Sequence, residues 1–515
     1  MTSGAVGTVD TAGTAGTAGT AGTAGTAGTA GTAGTAGTAG SAGAPGSAGP
    51  AGSAGGIRAA RVRSRADAWS AALRRAAPLL PAVAVVALLA VPTPPAGDGS
   101  AGNGSAADAA SAVLVLHCLV RVLRARARPL TRTAALVLGL PVLGVTVASL
   151  TADDPTATLP GLARYLQIFV LVPGALLLLV RDRRDFRLVA GSVVVLALAQ
   201  GAVGVAQYLT GTGASYQGED IRAVGTFGPT DIMGMATVVA YGLVICVGYA
   251  LGGSARAPRG QRALALGCAA LLSVPLLLSF SRGAWIATAV ALALQLALSG
   301  IRRAVVVGLA AGALGVVLVG GLGIGSQLIS ERAGSIAQVA DTPDQSVTDR
   351  YTMWAAATGM WRERPLTGVG LKGFPAYRDN HASLALSAGS DTSGAGMGFQ
   401  RQPLLSPHNM YLLVLSEQGL LGVVAFAGSW AGLLVCAVRA VPAARRSGTG
   451  AECGLVVTGL LVWQLADFCY ADIGGPSTVL TAVMLGLAAW WALGSAPGLP
   501  AVPAGRHPNG EAGPA

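Results

Sequence analysis

The sequence predicts an all-α integral membrane protein of about 12 transmembrane helices with a large extracytoplasmic loop, and three observations carry that reading. Hydrophobic residues make up 52% of the chain and charged residues only 11%, against roughly 25% charged in a soluble protein. Apolar runs of about 20 residues, the length that crosses a bilayer core, recur along it. The arginines alternate between connections, as the positive-inside rule requires of a polytopic helical protein.

Residues 1–56 are dominated by a Thr-Ala-Gly repeat that decays into Ser-Ala-Gly and Pro. Such a tract buries too little apolar surface to offset its ordering entropy, so it is expected to be disordered. Residues 57–76 form a basic juxtamembrane segment, and the polytopic domain runs over 77–495. Spans are expected near 77–95, 108–123, 132–150, 161–180, 187–209, 228–251, 262–279, 283–301, 303–325, 408–438, 452–470 and 476–494, followed by a disordered tail over 496–515. Arginines fill alternate connections: Arg121 to Arg132, Arg181 to Arg187, Arg256 to Arg262, Arg302 with Arg303, and Arg439 to Arg446. The intervening short connections carry Asp98 and Asp108, Asp153 and Asp154, Glu219 and Asp220, and Asp472. Both termini are therefore expected in the cytoplasm of a multi-pass plasma-membrane protein.

The formal net charge of +11 reads as topology determinants between spans, not as a nucleic-acid surface. Lys372 is the sole lysine, and that bias with abundant Ala, Gly and Val fits a GC-rich, actinobacterial genome. None of the six cysteines has metal-ligand spacing; they read as small packing hydrophobes. No metal and no cofactor is implied.

The connection over 326–407 is different. A loop that long is usually functional, and short helices are expected around 345–362 and 372–383. Unusual polar residues converge on its side of the membrane. Ser281-Arg282-Gly283 lies in the hairpin between spans seven and eight, and Arg222 with Thr226-Phe227-Gly228-Pro229 precedes span six. Asp349-Arg350-Tyr351 with Trp354 and Pro365-Leu366-Thr367-Gly368-Val369-Gly370 lie in the loop, and His408-Asn409-Met410-Tyr411 opens span ten. Guanidinium groups grip phosphate oxygens with a planar fork, and histidine takes a proton near neutral pH. Arg222, Arg282 and Arg350 with His408 suit a diphosphate-bearing substrate. Taken singly, the same residues have plainer uses. Arg282 is equally an interfacial anchor, Arg350 a salt-bridge partner of Asp349 or Asp344, and His408 a helix-end hydrogen-bonding residue. Glu417 is either an acid of the site or a structural partner, and His381 competes with His408 as the base.

In order and spacing, Ser281-Arg282-Gly283-Ala284-Trp285, Arg350 with Trp354, Pro365-Leu366 with Gly368-Val369-Gly370, His408-Asn409 with Tyr411-Leu412, and Glu417, Gly419 and Gly422 resemble the O-antigen ligase and O-antigen polymerase superfamily. Arg222 with Gly225-Thr226-Phe227 is similar to the family's element before the middle span, and the likeness covers roughly 200–440. The resemblance implies a GT-C-like membrane glycosyltransferase with an extracytoplasmic site. It would move a glycan from undecaprenyl pyrophosphate to an acceptor hydroxyl, without a nucleotide sugar. Its partners would be the lipid-linked donor, a glycan, lipid or protein acceptor, and membrane lipid, and not nucleic acid. Carried over by motif, Arg282 and Arg350 meet the departing pyrophosphate and His408 orients or deprotonates the acceptor. Arg222, Ser281, Asn409, Tyr411 and Glu417 bind substrate. No Asp-x-Asp cluster suggests a metal, so the arginines would carry that work. Two other classes compete. A transporter or flippase would show polar residues at mid-membrane and broken helices in paired halves; a scaffold would tolerate loss of His408.

Overall fold

The computed structural model describes residues 74–92, 105–126, 130–216, 222–227, 231, 233–253, 259–300, 345–387, 389–394 and 397–494, with single positions between 302 and 309. The repeat tail, the span expected over 303–325, the loop start over 326–344 and the C-terminal tail lie outside the described residues.

The described residues are nearly all helical. In chain order the helices before the long loop are α1 (Leu80–Leu88), α2 (Ala106–Ala125), α3 (Arg132–Leu150), α4 (Pro155–Leu179), α5 (Arg183–Thr210), α6 (Gly234–Gly252), α7 (Arg259–Leu278) and α8 (Arg282–Ser299). Two loop helices, α9 (Gln345–Glu363) and α10 (Phe374–His381), follow where the sequence leads one to expect them. Then come α11 (Met410–Ser447), α12 (Ala451–Asp467) and α13 (Thr478–Leu493). Eight of these helices are long and apolar enough to cross a membrane.

Side-chain caps set several of the starts. Ser105 and Asp108 form a capping box on α2, Thr131 caps α3, Asp154 caps α4, Asp182 caps α5 and Ser281 caps α8. α6, α12 and α13 form the interior: nearly every residue of α12 and α13 is buried, while α2 and α7 present mostly exposed apolar faces. α11 lies along α3, and α8 along α12. Ion pairs tie one end of the bundle together: Arg75 to Asp182, Arg181 Nε to Asp185 at 2.7 Å, and Arg187 to Glu452 at 2.5 Å.

At the opposite end sits a small antiparallel sheet that the sequence reading does not anticipate. Strand β1 (Ala214–Tyr216) pairs with β2 (Ser390–Gly394), which pairs with β3 (Met397–Gln402). The Ser/Gly-rich stretch between α10 and His408 is thus partly a hairpin, stitched to the end of α5.

Candidate functional site at the loop end

The geometry of the site begins with a helix that is broken on purpose. In α11 Gly419 has φ 63 and ψ −162, a conformation open essentially to glycine alone. The break detaches the amides of Leu420 and Leu421 from the carbonyls of Ser416 and Glu417, their ordinary i−4 partners. The loop segment 365–370 supplies a partner for each of the four freed groups. Leu420 N donates to Pro365 O (2.9 Å) and Leu421 N to Leu366 O (3.2 Å); Val369 N donates to Ser416 O (2.8 Å) and Gly370 N to Glu417 O (3.1 Å). A Cβ on Gly419 would meet Leu366 C at 2.4 Å, and one on Gly368 would meet Glu417 C at 2.4 Å. The Pro-Leu-x-Gly-x-Gly and Glu-x-Gly motifs are therefore two halves of one joint.

About three turns before Gly419, the N-terminus of α11 carries His408 in the left-handed region, with φ 47. Its neighbours hold it there. Trp354 Nε1 donates to Pro407 O (2.8 Å), and Met410 N is shared between Phe468 O (2.9 Å) and Ala471 O (3.0 Å). Asn409 caps Leu412 N (3.1 Å) and its amide reaches Cys469 O (3.1 Å), while Ser406 Oγ donates to Asp472. His408 keeps solvent access although dense protein surrounds it. That crowding pulls the imidazole below its ordinary value of 6.5; Asp472 opposes the shift and Arg350 adds to it. Asp472 and Arg350 are thus both electrostatic neighbours of the imidazole.

The remaining arginines arrive from the other side of the 467–472 turn. Arg282 is the first residue of α8, behind the Ser281 cap. A Cβ on Gly283 would touch the Tyr470 ring at 3.4 Å, so the hairpin abuts the segment that anchors His408. Arg282 is partly exposed and makes no hydrogen bond or ion pair among the described residues. Arg222 exchanges backbone bonds with Ala214, and Ala223 N donates to Leu278 O (3.2 Å), which seats Arg222 beside the same hairpin. The segments that carry Arg222, Arg282, Asp472, His408 and Arg350 thus abut one another at one end of the bundle.

Several sequence candidates have structural employment. Ser281 caps α8, and Tyr411 donates to Leu465 O (2.6 Å). His381 lies between Tyr377 O and Glu363, 2.9 Å from each, and packs on Gly359, so it joins α10 to α9. Asp349 accepts from Gln345 and Ser387. Glu417 is buried, accepts a long 3.4 Å bond from Phe374 N, and faces Lys372.

Sequence reading missed two residues. Asp472 stands there only as a charge in a short connection. Arg164 is hidden inside an apolar run; it bridges Asp108 and Gly475 O (3.0 Å) and so fixes the start of the loop that enters α13. Asp231 binds the same loop by accepting from Ser477 N (3.0 Å), and burial raises its carboxyl above the usual range.

In comparison with known proteins, residues 267–427 match the family model described as O-antigen ligase. No curated protein matches the chain. The matched region runs from within α7 to the second half of α11 and contains Arg282, Arg350, the 365–370 joint and His408.

Proposed function

We propose that this chain, which residues 267–427 make a member of the O-antigen ligase and polymerase superfamily, transfers a glycan from undecaprenyl pyrophosphate to an acceptor hydroxyl on the outer face of the membrane. A 12-span, GT-C-like layout with cytoplasmic termini puts the loop end outside. The reaction breaks the bond between the anomeric carbon and the pyrophosphate oxygen, forms one to the acceptor oxygen, and inverts the anomeric centre.

The observation that carries this reading is an accessible imidazole with Arg350 as its electrostatic neighbour, on a segment that the Arg282 hairpin abuts. Kept neutral at pH 7 by its surroundings, His408 accepts the acceptor proton as the new bond forms. Arg282, with its fork unengaged, and Arg350 beside His408 meet the charge that grows on the departing pyrophosphate. Asp472 orients the imidazole and favours its protonated form after transfer. Asn409, Ser281 and Tyr411 support substrate binding through the backbone they fix. The transporter reading calls for broken helices in paired halves, whereas the break at Gly419 is filled by the loop that carries the site.

The test is a deletion strain complemented with wild type, His408→Ala, Arg282→Ala, Arg282→Lys or Arg350→Ala, scored for surface polysaccharide and lipid-linked intermediates. Each variant is expected to insert normally and abolish product, Arg282→Lys included, because a point charge does not replace the fork. Single repeat units on the carrier identify a polymerase; full-length chains stranded there identify a ligase. An unchanged profile in all variants refutes the site.

A further inference from the structure

Beneath His408 the structure holds a small cavity, largely apolar but with four polar side chains in its lining, that the transfer chemistry above does not use. Its volume is about 10 Å³, and Tyr165, Lys372, Met410, Glu417 and Gln418 are among its lining residues. That is the room one water or one hydroxyl group needs. Met410 and Ile473 in its lining stand next to the His408 surroundings, and Asp472 is an electrostatic neighbour of both Glu417 and His408, so the cavity lies beside the same site.

Its polar groups are incompletely satisfied. Tyr165 and Gln418 are each 2% exposed and Glu417 4%. Tyr165 Oη and Gln418 Oε1 face each other short of good hydrogen-bond geometry, and among the described residues Glu417 accepts from backbone amides alone, those of Lys372 and, at 3.4 Å, Phe374. Buried polar atoms are normally paired, so two under-satisfied groups beside a buried carboxyl mark the space as suited to a polar group.

Lys372 stands at the mouth. It is exposed, with φ 63, and its stem packs on α4, where a Cβ at Gly161 would come within 2.7 Å of Lys372 Cγ. Its backbone is clamped on both sides: Leu371 N donates to Ala148 O (3.0 Å) and Thr158 Oγ1 to Leu371 O (3.3 Å). Its ammonium and the Glu417 carboxylate attract across the cavity without closing to an ion pair.

We propose that this cavity is a subsite for one hydroxyl of an uncharged sugar ring in the acceptor glycan. That hydroxyl accepts from Lys372 and donates to Glu417, while Tyr165 and Gln418 complete its contacts. A paired cation and anion match a group that both donates and accepts, and they leave no net charge to recruit an acidic sugar. The subsite would select the acceptor by that hydroxyl and align its neighbour on the ring with His408. The proposal rests on the transferase reading.

The experiment uses purified full-length protein with lipid-linked oligosaccharide extracted from the deletion strain. Lys372→Met and Glu417→Gln are each expected to raise the acceptor KM about 10- to 100-fold and to change kcat less than about threefold. The double variant is expected to be little worse than either single one, because both residues hold the same hydroxyl. A fall in kcat at constant KM, or fully additive effects, overturns the subsite. A wild-type protein that turns nothing over sinks the transferase reading instead. Binding then decides the cavity: oligosaccharide released from that lipid by mild acid should receive NMR saturation transfer from the wild type and lose it in Lys372→Met. Equal transfer, or none to the wild type, also overturns the proposal.

Discussion

Replacing Gly419 with alanine tests whether α11 and the loop form one joint. Holding a non-glycine residue at φ 63 and ψ −162 costs about 1–3 kcal/mol. The new Cβ would also sit 2.4 Å from both Leu366 C and Leu366 O. That backbone is fixed by the bonds from Leu420 N and Leu421 N, so relief requires giving up both, at about 1 kcal/mol each. Together these effects amount to about 4 kcal/mol, or roughly three decades in the local opening equilibrium. Hydrogen exchange at Val369 and Gly370, whose amides close the other half of the joint, reads that opening directly. Their exchange is expected to accelerate about 1,000-fold in Gly419→Ala. Gly139→Ala is the control, since nothing lies within 4 Å of a Cβ there. Equal protection in the two variants would refute the joint.

Three further outcomes follow from the site. His408 has its pKa lowered, so kcat/KM should hold below pH 6.5 and fall only as the pH drops through the lowered value. Asp472→Asn removes the charge that favours the imidazolium and should move this acid limb to still lower pH; a limb that stays put assigns it to another group. Trp354→Phe deletes the bond to Pro407 O and should lower kcat about tenfold or more through misplacement of His408, while stability changes by about 1 kcal/mol. Gly161→Ala pushes only the flexible Lys372 stem, so it should leave thermal unfolding nearly unchanged while raising acceptor KM as Lys372→Met does.

The membrane helices were legible because a 20-residue apolar run has few alternatives in a chain this poor in charge, and because caps such as Asp154 and Asp182 mark their starts. The candidate residues were legible because arginine and histidine at a membrane edge are costly to keep there. What stayed hidden depends on partners far apart in sequence. Pro365 to Gly370 and Glu417 to Gly419 were both conspicuous, yet nothing local says that each completes the other's hydrogen bonds. Asp472 was hidden by its ordinary surroundings, and its meaning comes from Ser406 and His408 some sixty residues away. The strands over 390–402 were hidden for another reason: Ser and Gly supply no alternation to read. Ser281 and Tyr411 show the converse, residues of striking position whose polar atoms serve a helix cap and a carbonyl.

The joint also explains how a membrane protein keeps a loop-borne site rigid. Backbone groups freed within a membrane helix must be satisfied inside the protein. Breaking α11 at Gly419 exposes two carbonyls and two amides, and segment 365–370 supplies their complements in register. The loop is thereby spliced into the helix and cannot drift without leaving four polar groups unpaired. α9 runs directly into that segment, so Arg350 and Trp354 are carried on the same frame as His408, and Lys372 follows it by two residues. A second constraint, from Met410 to the 468–471 turn, fixes this frame against α12, whose neighbour α8 brings Arg282. Arg350 on the loop, Arg282 on the hairpin and His408 on the helix therefore hold their spacing through backbone bonds. Such a site meets its substrate preorganised, the condition under which fixed charges lower a barrier most.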